Sequence, residues 1–172
     1  MHEEGEQLIA CIPRLRRYAR ALVSDRALAD DLVQDTLERA WDKLALWRRG
    51  SDMRAWLFGI MHNLHINQIR KPGLATVALE DDAYQLPVRA SQSDQLEVRD
   101  LHGALQLLPG EQRAVLLLVA LEQMSYEEIA TSLSIPIGTV MSRLARGREK
   151  LRALMEGRSA VPAAVVPLKV VK

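Results

Sequence analysis

Residues 125–152 read SYEEIATSLSIPIGTVMSRLARGREKLR, and the punctuation of this stretch decides the kind of fold to expect. Ser125 followed three residues later by Glu128 is a capping box: the hydroxyl accepts from the Glu128 amide while the carboxylate reaches back to the Ser125 amide. Ile129, Ala130 and Leu133 then form the apolar face of a short helix. Ser134-Ile135-Pro136 makes a tight turn, because Pro136 prevents the preceding helix from running on. In the next helix Val140, Leu144, Gly147, Leu151 and Leu154 fall on one narrow arc and pack inward, with Gly147 expected to let a neighbouring helix come close. The opposite arc carries Thr139, Ser142, Ala145, Arg146 and Glu149, flanked by Arg143 and Arg148. Small residues let a backbone approach a DNA groove, hydroxyl and guanidinium groups reach base edges, and flanking arginines hold phosphates. Free amides at the start of the first helix, at Tyr126 and Glu127, suit a further phosphate. A plain helical hairpin with a solvated face has the same outline. The capping box, the proline turn and the Thr/Ser/Arg spacing together favour a helix–turn–helix.

Upstream of this unit the helical period continues. A helix is expected over about 93–107, then a break at Pro109 and Gly110, then a helix to about Leu121. The first half follows the same rule. Leu8, Cys11, Ile12, Leu15, Ala19 and Leu22 are helically spaced, with Pro13 implying a late start or a bend. After Ser24 and Asp25, which are capping types, Ala29, Leu32, Val33, Thr36, Leu37, Ala40 and Leu44 form a second run. A break at 48–51 precedes a third helix from about Met53 to Lys71, capped by Ser51 or Asp52 and stopped by Pro72 and Gly73. No strand alternation is visible. The fold expected is all-α, in two helical domains: 1–72, a linker over 73–92, a helix–turn–helix domain over 93–157, and a disordered tail over 158–172. A structureless stretch of that length inside one compact domain would be unusual, which favours two lobes on a tether.

Composition narrows the function classes. The chain has 172 residues, 48% hydrophobic, 26% charged and only 4% aromatic, with a net charge of +1. That is globular, helix-leaning composition, and near-neutrality argues against bulk polyanion binding. The charge is nevertheless unevenly placed. Residues 79–100 are acidic (Glu80, Asp81, Asp82, Asp94, Glu97, Asp100), and the C-terminal helix is basic (Arg143, Arg146, Arg148, Lys150, Arg152, Arg158). The lone Cys11 precludes an internal disulfide framework and fits a reducing, cytoplasmic setting. No run approaches the length of a membrane span, and the acidic opening MHEEGEQ is unlike a signal peptide.

Two further faces stand out. In the second helix Asp31, Gln34, Asp35, Glu38 and Asp42 share one exposed side, which phosphate would repel and a basic protein partner would fit. A carboxylate metal site is the competing reading, but no histidine accompanies it and nothing converges on it. In the third helix Trp56, Asn63, Asn67 and Arg70 line up: an aromatic plane, two amides and a cation suit unstacked nucleic acid. Trp56, beside Leu57 and Phe58, is equally readable as core. His62 and His65 lack a third metal ligand. No catalytic constellation, metal site or cofactor site is expected.

The segments ADDLVQDTLERAW (29–41), AWLFGIMHNL (55–64), LPGEQRAVLLL (108–118), SYEEIA (125–130) and PIGTVMSRLARGREKLR (136–152) resemble the small extracytoplasmic-function (ECF) sigma factors of bacterial RNA polymerase. The resemblance spans about residues 8–156, and the 29–41 run and the C-terminal helix look most like the general-stress branch. It implies that Asp31, Gln34, Asp35 and Glu38 bind the clamp helices of the polymerase β′ subunit, with the second lobe near the β flap. It implies that the loop Trp47–Met53, including Arg49 and Ser51, captures a flipped base of the −10 element, joined by Asn63, Asn67 and Arg70. It further implies that Ser142, Arg143 and Arg146 read the −35 element as duplex, supported by Tyr126, Thr139 and Arg148. Met141 stands where many relatives carry Lys or Arg. Linker acids Glu80, Asp81 and Asp82 would thread toward the RNA exit path. An anti-sigma factor is implied as regulator. The alternative is a σ-like decoy that titrates an anti-sigma factor. Decoys of that kind carry a receiver domain, for which residues 157–172 leave no room, and tend to lose the basic recognition surface.

Overall fold

The computed structural model describes residues 2–71 and 92–159. They form seven α-helices and one 3-10 turn: α1 (His2–Leu22), α2 (Arg26–Asp42), the turn (Leu44–Leu46), α3 (Met53–Arg70), α4 (Gln92–Gln106), α5 (Gly110–Glu122), α6 (Tyr126–Leu133) and α7 (Ile137–Ser159). Among the described residues there is no strand. The expected linker and tail lie outside the described residues.

Local chemistry accounts for the boundaries. The Asp25 carboxylate accepts from the Leu28 amide at 2.9 Å and starts α2. Asp52, not Ser51, caps α3, accepting from the Arg54 and Ala55 amides at 2.9 and 3.3 Å. Ser51 instead donates its hydroxyl to the Arg48 carbonyl, closing the loop before α3. The capping box at Ser125 and Glu128 is present in both directions, at 3.1 and 2.7 Å. Ser134 ends α6 with φ 54°, a left-handed residue that turns the chain toward α7. Two expectations shift. α1 begins at His2 and runs through Pro13, which is exposed and leaves one helix bond unmade. The second helix stops at Asp42 and tightens into the 3-10 turn rather than reaching Leu44.

In the first half α2 packs against α1 and α3 around Leu15, Tyr18, Leu22, Leu32, Leu57 and Phe58, with the Tyr18 ring edge-on to Phe58 at 5.0 Å. In the second half α5, α6 and α7 close on Val115, Leu118, Ile129, Val140 and Leu144. Arg113 uses its whole guanidinium here, donating to the Leu105, Gln106 and Leu108 carbonyls at the end of α4, and to Leu22 at the end of α1. It thereby satisfies carbonyls that a helix terminus leaves without partners.

The halves that the sequence suggests as separate lobes are packed on each other. α1 lies against α5 and α3 against α6, and a single apolar core runs through both. Polar contacts lock the seam. Tyr18 donates to the Ala114 carbonyl at 3.1 Å, Gln106 to Ala21 at 3.0 Å, and Arg54 to Glu122 at 2.9 Å. Arg17 pairs with the buried Glu122 carboxylate at 3.0 Å. Ser132 donates to the Ala55 carbonyl beside Gly59, where a Cβ would stand 2.4 Å from the Ser132 carbonyl oxygen. Gly59 is therefore where two helix backbones meet. At Gly147, the glycine expected to permit close approach, a Cβ would find ordinary contacts at 3.5 Å.

Candidate nucleic-acid interface

α7 carries the arc expected from its sequence to face a DNA groove. Val140, Leu144 and Gly147 are buried, which turns Ser142, Ala145, Arg146, Arg148 and Glu149 outward to solvent. Thr139 is half-buried in the first turn, and its carbonyl accepts from the Ser142 hydroxyl at 3.2 Å, holding that side chain against the helix. Met141 is exposed on the same helix. Tyr126, first residue of α6, packs its ring partly against the core, leaving its backbone at the helix start. Arg143 differs from its neighbours. Its side chain is 22% exposed and pairs with Glu111 at 3.2 Å.

α3 presents Asn63, Asn67 and Arg70 to solvent at successive turns. Trp56, seven residues before Asn63 on α3, is not exposed as they are. It is partly buried against the core and lies 6.5 Å from Trp47, in a tilted pair. In the loop before α3, Arg49 is exposed and pairs with Glu4 of α1 at 2.6 Å, and Ser51 is exposed. Arg70 pairs with Glu111 at 3.3 Å. Asn63, Asn67 and Arg70 thus share one cleft of about 180 Å³ with His62, Glu111 and Arg143. Residues expected to serve two different DNA elements face each other across the seam.

The two histidines are structural here. His62 and His65 are each 6% exposed, and His62 Nδ1 and His65 Nε2 have no hydrogen-bond partner. Burial, and then the positive charge of Arg143, push the His62 pKa down to about 4, while burial and Arg113 do the same for His65. Both are neutral at pH 7. Among the described residues no group of His, Cys, Asp or Glu is arranged to hold a metal ion.

The acidic stripe sits on the far side of the first half. Asp31, Gln34, Asp35 and Glu38 are all exposed on α2, with Gln34 bonded to Glu38 at 3.2 Å. Packing of the two halves leaves this flank open. Beside it, Trp41 is 62% exposed and lines an apolar hollow with Leu8 and Leu37, a feature the periodicity argument did not single out. Its only sequence signal is a large apolar residue one step off the buried arc of α2. Arg113 and Gly59 were also missed, because a carbonyl-gathering arginine and a backbone-contact glycine have no local pattern.

Residues 8–62 match the model of the sigma2 domain of PhyR, and residues 99–151 match sigma-70 region 4. The chain is 37% identical over 152 residues to the ECF RNA polymerase sigma factor EcfG of Rhodopseudomonas palustris, covering 87% of this chain and 83% of that one. The sigma factor RpoE of Bartonella quintana, solved in complex with the anti-sigma factor NepR, superposes with a TM-score of 0.75 at 32% identity, covering 91% of this chain and 98% of that one. CnrH, solved with the cytosolic domain of CnrY, gives a TM-score of 0.65 at 27% identity, covering 90% and 88%. No described helix is long and apolar enough to cross a membrane. The chain belongs to the ECF sigma factors of RNA polymerase.

Proposed function

We propose that the protein is an alternative sigma factor of the general-stress branch, which binds core RNA polymerase, directs it to a specific set of promoters and is held in check by an anti-sigma factor. The observation that carries this reading is the α6–α7 unit, whose exposed arc offers Ser142, Arg146 and Arg148 to a major groove. In this reading Ser142, Arg143 and Arg146 read the −35 element as duplex, with Thr139 and Arg148 in support and the amide of Tyr126 on phosphate. Arg49, Ser51, Asn63, Asn67 and Arg70 retain bases of the opened −10 element, each unstacked base costing a few kcal/mol that the protein contacts offset. Asp31, Gln34, Asp35 and Glu38 grip a basic surface of the polymerase, which supplies the chemistry; the sigma factor itself is a regulator and catalyses nothing. Each DNA site is weak alone, and the shared polymerase joins them by effective concentration. Kinship with EcfG, and with an RpoE solved alongside NepR, supports the branch and the anti-sigma partner.

A second reading, a decoy that titrates an anti-sigma factor, is favoured by one finding: the model matching residues 8–62 is the sigma2 domain of PhyR, and the PhyR solved from Bartonella quintana is an anti-anti-sigma factor. Run-off transcription from genomic DNA with core polymerase decides between the two. A sigma factor yields promoter-specific transcripts, lost on Asp31→Lys/Asp35→Lys at the polymerase-binding step and on Arg146→Ala at the promoter step. Polymerase binding without specific transcripts supports the decoy. Identical failure of both variants at polymerase assembly refutes the assignment of the two faces.

A further inference from the structure

Glu111 opens α5 from the second half of the chain, yet its carboxylate sits between arginines of both promoter-reading helices. Oε1 accepts from Arg70 of α3 at 3.3 Å, and Oε2 faces Arg143 of α7 at 3.2 Å. Two oxygens of one anion, each engaged by a different guanidinium, is the arrangement that the non-bridging oxygens of a phosphodiester would present. The amides of Asn63 and Asn67 line the same cleft. Ser132 against Gly59 and the buried Glu122 pair keep the seam shut around it.

We infer that Glu111 is an internal phosphate mimic, which occupies Arg70 and Arg143 across the seam until a phosphate of DNA displaces it. The inference rests on the proposed DNA roles of Arg70 and Arg143. Both guanidinium groups are then neutralised by a carboxylate beside Asn63 and Asn67. Displacing Glu111 exchanges one anion for another at these two arginines, so its cost is low. Ion pairs this close to solvent are worth little individually, so the carboxylate is held loosely while the seam itself stays packed. Polyanions displace the carboxylate by competing for the same two arginines.

The test uses the full chain without polymerase. Binding of a fluorescein-labelled, mixed-sequence single-stranded DNA is followed by anisotropy at low salt, and the radius of gyration by X-ray scattering. Glu111→Gln keeps shape and removes charge. It should bind roughly three- to tenfold more tightly, the range set by the loss of the two pairs, with its radius of gyration unchanged. Glu97→Gln, on exposed α4, removes the same charge elsewhere and should give a clearly smaller gain. Circular dichroism melting verifies that both variants remain folded. Adding Arg70→Ala to Glu111→Gln should abolish the gain. If Arg70→Ala and Arg143→Ala weaken DNA binding but Glu111→Gln gains no more than Glu97→Gln, the mimic is overturned while the DNA roles stand. If neither arginine affects DNA binding, those roles fail and the mimic fails with them.

Discussion

Replacing Gly59 by alanine separates the stability of the first half from the stability of the seam, because the two should move in opposite directions. Inside α3, alanine is the better helix former by about 1 kcal/mol, so the helix by itself gains. Across the seam the new methyl carbon would lie 2.4 Å from the Ser132 carbonyl oxygen and 3.3 Å from its carbon. Those atoms are backbone within α6, so relief requires moving a helix rather than rotating a side chain. Overpacking of this kind costs about 1–3 kcal/mol. Displacing α6 also breaks the bond from the Ser132 hydroxyl to the Ala55 carbonyl, about 1 kcal/mol more. The closed arrangement should thus weaken by about 2–4 kcal/mol, roughly a 30- to 1000-fold shift toward open forms. Distance measurement between spin labels on exposed Gln7 and Arg152, in a Cys11→Ser background, should show a long-distance population that the parent lacks. The helical signal at 222 nm should stay intact. An unchanged distance distribution, with unchanged melting, would refute the account of Gly59 as the backbone contact that sets the seam.

The other expectations concern charge and capping. His62 and His65 are neutral when covered and take up protons once uncovered. The closed form therefore keeps its full advantage above about pH 6.5, loses it as pH falls toward 4, and forfeits roughly 1 kcal/mol per histidine by pH 5.5. The groups facing them, Arg143, Arg70 and Glu111 for His62 and Arg113 and His62 for His65, do not reverse that sign. X-ray scattering at pH 7.5 and 5.5 should show expansion that His62→Phe reduces; constant size down to pH 5 contradicts it. At the Glu122 cluster the partners are unequal, the carboxylate fully buried and Arg17 54% exposed. Arg17→Ala should cost about 3 kcal/mol by leaving a buried charge poorly compensated, whereas Glu122→Gln should cost about 1, because its arginines return to water. Equal denaturation midpoints for the two variants would contradict this. Ser125→Ala removes half of the capping box and should cost about 1 kcal/mol in thermal melts, with weaker duplex binding following from a frayed α6.

Sequence alone determined the elements and the outward faces. Helical period, the capping pairs Ser24/Asp25 and Ser51/Asp52, the cap at Ser125 and the proline turn at 134–136 are local, so they are written in neighbouring residues; which member of each pair caps was settled by the fold. The exposed arcs of α2 and α7 are legible for the same reason: once the buried arc is known, the opposite arc must face solvent. Tertiary structure alone decided which elements meet across the chain. A glycine against a carbonyl seventy residues away, an arginine gathering the ends of α1 and α4, and a glutamate between Arg70 and Arg143 carry no periodic signal, since their meaning depends on partners brought near only by folding. Periodicity likewise left Trp56 undecided between core and base stacking, because a single ring fits either environment until its neighbour, Trp47, is in place. The family resemblance supplied the roles, but not the closed pose. Local bonds encode a helix and its faces; the pairing of distant faces is encoded only in the shape complementarity of the assembled whole.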